Sequence, residues 1–223
     1  MARSEIRTKI IFLDDKTRAP IWYCNNGLLL KSKISGVKAV RECNFIEIKE
    51  CDIESPEFGW KSNNVVIQNT RLVSEYLLLE SKNITINNIG FKGKYSFQYV
   101  ENMTIENSNL DTKDAFWHSK NVTVKNSVIK GEYLAWFSEN LTLINCKIIG
   151  TQPLCYCKNL LLIDCEMINC DLSFEYSEVN ASIIGGIDSV KNPKSGRISA
   201  DFVGEIIKEY PVIECTGEVI IRK

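Results

Sequence analysis

A repeat of nineteen residues constrains the fold of this 223-residue chain more than any other feature of its sequence. Aligned on one anchor position, the repeat runs through nine units without an insertion, and most anchors are asparagine: Asn26, Phe45, Asn64, Asn83, Asn102, Asn121, Asn140, Asn159 and Glu178. A repeat this regular predicts units that each bury an apolar face against their neighbours.

The pattern inside each unit indicates short strands. After Asn121, apolar and polar residues alternate, which is the period of a strand. Aliphatic residues one, three and eight places after the anchor, such as Val122, Val124 and Ile129, are predicted to face the core. A second asparagine column, five places after the anchor, suits a left-handed bend, and its stacked amides can hydrogen bond along the axis. The sequence therefore predicts an all-β, single-stranded, right-handed parallel β-helix of about 9–10 coils.

Length and charge limit the organisation and the partners. We expect one domain, with residues 1–19 as an N-terminal strand or cap, 20–188 as regular coils, and 189–223 as the last coil and C-terminal cap. A net charge of −1 gives no electrostatic basis for binding nucleic acid or an anionic membrane. No apolar run reaches the length of a membrane span, and the first twenty residues lack the apolar segment of a signal peptide. A cytoplasmic location is therefore expected.

The nine cysteines are predicted to be free thiols. Cys24 and Cys43, like Cys146 and Cys165, would lie on adjacent coils with parallel Cα–Cβ vectors, which is poor disulfide geometry. Free thiols are consistent with a reducing compartment. The Cys155–Cys157 pair, with a single distant histidine, does not make a zinc site, so neither a metal nor a cofactor is expected.

Several stretches resemble known families. The pattern of Asn121–Ser127 is similar to the pectin-lyase-like β-helix superfamily. The runs Lys113–Val122, Gly131–Leu134, Phe174–Ser177 and Ile187–Pro193 are similar to a bacterial family known only as a domain of unknown function. This resemblance covers roughly residues 95–207 well and the first ninety residues more loosely. It implies the β-helix fold, and it implies no established activity, cofactor or catalytic residue.

All four tryptophans occupy one repeat column, fifteen places after the anchor. The column just before it contains no charge and no amide, so we predict that it is core and that the tryptophan column faces outward. Arg41 is predicted to stack between Trp22 and Trp60 through cation–π contacts. The alternative is a local bulge that turns the tryptophans inward as a core stack. The predicted binding face consists of Trp22, Arg41, Trp60, Trp117, Trp136 and Phe174.

The predicted aromatic face and a cluster of acidic residues lead to three functional hypotheses. The leading one is a non-catalytic binding or interaction scaffold with an aromatic face, which would suit a carbohydrate. Another is a self-associating structural protein, a homo-oligomer formed through the apolar strip or the coil ends.

The third hypothesis is a polysaccharide lyase or glycoside hydrolase of the pectin-lyase-like type. A hydrolase of this kind needs two carboxyl groups about 5–9.5 Å apart. The residues from which such a site would be built are Asp111, Asp114 and Glu132, with His118 nearby. Acids at exposed turns are usually only solvated, and therefore a non-catalytic role is favoured over an enzyme.

Overall fold

The repeat closes into coils whose strands stack in parallel, and the computed structural model describes this arrangement for residues 21–222. About ten coils form a parallel β-helix, which confirms the predicted all-β solenoid. The predicted N-terminal strand or cap, residues 1–19, lies outside the described residues. Within residues 21–222 the chain forms no helix with the length and apolar character needed to cross a membrane.

The first nine strands are β1 (Asn25–Leu30), β2 (Lys33–Ser35), β3 (Asn44–Lys49), β4 (Asp52–Glu54), β5 (Asn63–Ser74), β6 (Lys82–Gly93), β7 (Glu101–Glu106), β8 (Asn109–Asp111) and β9 (Lys120–Lys125). The remaining strands are β10 (Val128–Lys130), β11 (Glu139–Ile144), β12 (Lys147–Ile149), β13 (Leu160–Ile168), β14 (Glu178–Ile184), β15 (Gly186–Lys191), β16 (Ser195–Ala200), β17 (Phe202–Ile207) and β18 (Glu218–Ile221).

Strand register follows the sequence repeat. Val122 of β9 pairs with Met103 of β7 on one side and with Leu141 of β11 on the other, each nineteen residues away. The three predicted inward columns are buried from coil to coil, and this confirms them as the core. Burial of such aliphatic columns is the main favourable contribution to the stability of the solenoid.

Two asparagine columns form corners of the coil. Asn102, Asn121 and Asn140 have φ values of 58, 54 and 55°, and the amide Nδ2 of each donates to the Oδ1 of the asparagine one coil before. The second column is also left-handed, and its amides join coils where Asn88 donates to Asn69 at 2.7 Å and Asn145 donates to Asn126 at 2.9 Å. The predicted asparagine ladders are therefore confirmed.

A third corner was not predicted. It contains two or three left-handed residues per coil, and most of them are large: Phe97 and Tyr99 have φ values of 59 and 56°, and Val40 adopts 55°. The left-handed conformation costs an L-residue about 1–2 kcal/mol. Phe97 and Val40 are fully buried, so the burial of their side chains offsets this cost.

One coil near the C-terminal end departs from the repeat. The backbone N–H of Gln152 donates to the carbonyl of Asp171, nineteen residues on, whereas the equivalent bond in the preceding coil spans eighteen residues. The strand pairing of Leu160 with Val179 has the regular spacing of nineteen residues. The chain therefore loses one residue relative to the repeat before Val179, and this compensates for the added one. Glu178, the predicted ninth anchor, therefore lacks the left-handed conformation of the asparagines and begins β14 instead. That part of the predicted alignment is wrong.

Charges alternate in sign from coil to coil in the column that precedes the anchors. This charge ladder consists of Lys82, Glu101, Lys120, Glu139 and Lys158. Lys82 lies 2.9 Å from Glu101, and Lys120 lies 3.9 Å from Glu139. Because like charges on neighbouring strands repel, this alternation favours the observed register.

Candidate functional site

The tryptophan column faces outward, as predicted. Trp22 is 51% exposed and Trp60, Trp117 and Trp136 are half-buried, whereas the neighbouring column is buried in the core. The Arg41 guanidinium lies 6.0 Å from the centroid of the Trp22 ring and 5.1 Å from that of Trp60. The predicted cation–π arrangement is confirmed.

Each half-buried indole is also fixed by a hydrogen bond. The Nε1–H of Trp117 donates to the backbone carbonyl of Tyr133, sixteen residues on in the next coil, at 2.6 Å, and Trp136 donates to Gln152 at 2.8 Å. Gln98, which stands in the same column, donates its amide to the carbonyl sixteen residues on at 3.1 Å. The column therefore joins successive coils in addition to forming a surface.

Phe174 does not belong to this outward face. Its side chain is fully buried, and its φ of 66° matches the 63° of Leu154, the inward residue twenty positions before it. The residue added before Asp171 moves Phe174 from the outward to the inward position. The predicted place of Phe174 on the binding face is wrong for this reason.

A longer row of aromatic rings lies in the next column. Five rings on successive coils stack there, and we call them the aromatic ladder: Tyr99, His118, Phe137, Tyr156 and Tyr176. Consecutive centroids are 5.0, 5.0, 4.8 and 5.8 Å apart, and the first three ring pairs are within 12° of parallel. Tyr99 is 50% exposed and Phe137 is 45% exposed.

The geometry of the ladder determines what it presents to solvent. Parallel rings with centroids 5.0 Å apart are stacked with a lateral offset, because coplanar rings at that distance would collide at their edges. Both faces of His118 and of Phe137 are therefore partly covered by their neighbours in the ladder. Trp117 and Trp136 stack in the same way, at 5.4 Å and 2°. The ring edges and the uncovered parts of the ring faces remain for contact with a partner.

The candidate catalytic residues are divided among different environments. Glu132 is exposed and its carboxylate lies 3.0 Å from the ammonium of Lys113, and Asp111 is exposed at the end of β8. Asp114 is nearly buried, and burial raises the pKa of its carboxyl above the ordinary value; Lys113 opposes the rise and Glu132 adds to it. His118 is a member of the aromatic ladder, packed between two rings.

A groove of about 730 Å³ runs beside the asparagine corner from Asn26 to Asn121. Its walls are the asparagine amides and a column that includes Thr85, Thr104 and Thr123. None of the candidate acids and neither the aromatic ladder nor the tryptophan column lines this groove. The candidate acids and the aromatic surface therefore lie away from this groove.

Most cysteine thiols contact backbone carbonyl groups of the coils. All nine are free, which confirms the prediction of free thiols. The Cys157 thiol lies 3.2 Å from the carbonyl of Ala135, and burial raises the pKa of Cys157 to about 11 and that of Cys170 to about 12. In the described part of the chain, no group of three or more His, Cys, Asp and Glu side chains is arranged to hold a metal ion.

The coils, asparagine ladders and exposed aromatic surface define this molecule as a parallel β-solenoid repeat protein. Within that class, the chain belongs to the family described as "Protein of unknown function (DUF3737)", whose sequence pattern matches residues 3–221. The resemblance to a family of unknown function is therefore confirmed over almost the whole chain. A comparison with curated proteins gives no match.

Proposed function

We propose that this protein is a non-catalytic scaffold that binds a partner protein through the aromatic ladder and the tryptophans beside it. The observation that supports this function is the continuous row of aromatic rings from Tyr99 to Tyr176, which is exposed at Tyr99, His118 and Phe137 and half-buried at Tyr156 and Tyr176. Contiguous exposed aromatic surface on a monomer commonly marks a protein-binding site. Aromatic residues also contribute a large share of the binding free energy at protein interfaces.

The orientation of the rings favours a protein over a carbohydrate as the partner. A sugar packs its C–H face on an open aromatic face, and the internal rings of the ladder have a neighbouring ring stacked on each face. One face of Trp136 is stacked on Trp117, and the edges of Tyr133, Phe137 and Tyr156 also pack against Trp136. Ring edges pack readily against aliphatic side chains and against the ring faces of another protein.

The scaffold is fixed in advance of binding. Ring stacking within the ladder and the indole hydrogen bonds hold these side chains in one conformation. Little side-chain entropy is then lost on association, which favours affinity. The free and mostly buried thiols support our further proposal that the protein acts in the reducing cytoplasm.

The experiment that tests this function places a benzophenone amino acid at Phe137 and, as a control, at exposed Lys130 in β10. Both chains are expressed in the native host and irradiated. We expect a discrete cross-linked protein from position 137 and none from position 130. Cross-linking that is absent at position 137, or equal at both positions, would refute the proposal.

A parallel titration distinguishes the carbohydrate hypothesis. Soluble polysaccharides are added to the purified chain while its tryptophan fluorescence is recorded. The proposal predicts no saturable change. A saturable change that is lost in Trp117→Ala would assign the surface to a glycan instead of a protein.

A further inference from the structure

In the described part of the chain, the last coil of the solenoid has open strand edges. β17 pairs only with β15 and β18 only with β16, and among residues 21–222 no strand pairs with their outer edges. Ile206 and Ile221 are 44% and 47% exposed, although the residues paired with them one coil earlier, Val190 and Ala200, are buried. An open strand edge beside exposed core residues is a surface that favours pairing with another strand.

The backbone of β18 shows which groups are available. The N–H of Arg222 donates to the carbonyl of Ala200 at 2.8 Å, so the backbone of Arg222 faces β16. Successive residues of a strand direct their backbone groups to opposite edges. Val219 and Ile221 therefore direct their N–H and C=O groups to the open edge, and Ile220 directs its groups inward.

The side chains of β18 carry opposite charges at its two ends. Glu218 lies 3.4 Å from Arg197, and Arg222, which follows the strand, lies 2.8 Å from Asp201. Both partners belong to the preceding coil. The edge is consequently negative at its start and positive just after its end, so it is complementary to a second copy of itself in the antiparallel direction.

We propose that two copies of this chain associate end to end by antiparallel pairing of β18 with β18, about a two-fold axis at Ile220. In this register Val219 of each copy lies opposite Ile221 of the partner, and each such pair exchanges two backbone hydrogen bonds. Glu218 lies opposite Arg222 of the partner. The two sheets then become one continuous sheet across the interface.

Charge alternation continues across this interface. The row formed by Arg197, Glu218, the partner's Arg222 and the partner's Asp201 alternates in sign, as the charge ladder does within the body of the solenoid. A shift by one residue would place inward-facing backbone groups at the interface. A shift by two would place Glu218 opposite Ile220 and lose the charge pairs. One register is therefore favoured over its neighbours.

The test uses the full chain and two charge-reversed variants, Glu218→Arg and Arg222→Glu, in sedimentation equilibrium over a wide concentration range. Wild type is expected to form a dimer. Each variant alone places like charges opposite each other at both charged pairs and is expected to self-associate at least about tenfold more weakly. Mixing the two variants restores opposite charges at both positions, so an equimolar mixture is expected to dimerise as wild type does.

A backbone variant provides an independent measurement. Ile221→Pro removes an N–H that faces the open edge and makes no bond within the monomer, so the fold should survive while dimerisation is lost. Far-UV circular dichroism checks the fold of every variant. A wild-type monomer at all concentrations, or a mixture that fails to restore the dimer, would overturn the proposal. A dimer that is unaffected by these three substitutions but is lost in Phe137→Ser would also overturn the proposal, because the contact would then lie on the aromatic ladder.

Discussion

Two substitutions at Asn121 can separate the backbone and side-chain contributions of the asparagine ladder to stability. The amide of Asn121 donates to Asn102 at 3.0 Å and accepts from Asn140 at 2.8 Å, and its φ is 54°. Asn121→Gly removes both hydrogen bonds but accepts the left-handed conformation without strain. Asn121→Ala removes both bonds and adds the cost of placing an alanine at that φ.

The expected losses differ for this reason. An exposed hydrogen bond contributes about 0.5 kcal/mol, the lower end of the usual range, so Asn121→Gly should lower the free energy of unfolding by about 1 kcal/mol. The left-handed conformation adds about 1 kcal/mol for alanine, and Asn121→Ala should therefore lose about 2 kcal/mol. Urea unfolding followed by circular dichroism measures both values.

Asn109→Ala provides the matched control, because Asn109 is exposed and lies in β8 without a left-handed backbone. Its effect should stay within about 0.5 kcal/mol. Equal losses for Asn121→Gly and Asn121→Ala would show that the backbone term is absent. No loss in either variant would refute the stabilising role of the ladder.

Two further predictions concern charges. Burial raises the pKa of Asp114 in the folded chain, so the stability associated with its protonation is present at acid pH and is lost as pH rises through the folded pKa. Asp114→Asn should therefore be more stable than wild type at pH 7, with the difference shrinking near pH 4, as measured by urea unfolding; lower stability of the variant at pH 7 would contradict this. Lys120→Glu places a carboxylate between Glu101 and Glu139, so that three successive coils carry a negative charge in one column. The variant should lower the free energy of unfolding by about 1 kcal/mol in dilute buffer and by less in high salt. A loss that does not depend on salt would contradict a charge effect.

The fold could be predicted because its determinants are periodic in the sequence. Each inward column contains aliphatic residues in nearly every coil, and each asparagine corner uses the residue type that best tolerates a left-handed bend. The third corner could not be predicted, since Phe97 and Val40 have no intrinsic preference for positive φ and adopt it only in the packed coil. The misplacement of Phe174 has another cause. One residue is added and one removed within a single coil, so the alignment at both ends of that coil looks regular.

The candidate surface was predictable as a set of columns but not as a geometry. The repeat places His118 in the same column as Tyr99, Phe137 and Tyr156, and it places the tryptophans outside the core. Column membership does not state how a ring is turned about its side-chain torsions. The stacked orientation, which decides between a sugar-binding face and an edge-presenting face, comes only from the structure.

Stacking along one axis explains why the two proposed association surfaces of this solenoid differ. Within the body, ring faces, amide hydrogens and charges interact with the next coil along the axis, and this leaves ring edges on the sides. At the last coil of residues 21–222 these interactions are made on one side only, so backbone groups and charges of β18 face outward. A lateral partner is therefore selected by apolar edges and shape, whereas an axial partner must supply a strand of matching register and opposite charge. Changes to the aromatic ladder should consequently leave axial association intact, and changes to Glu218 or Arg222 should leave lateral binding intact.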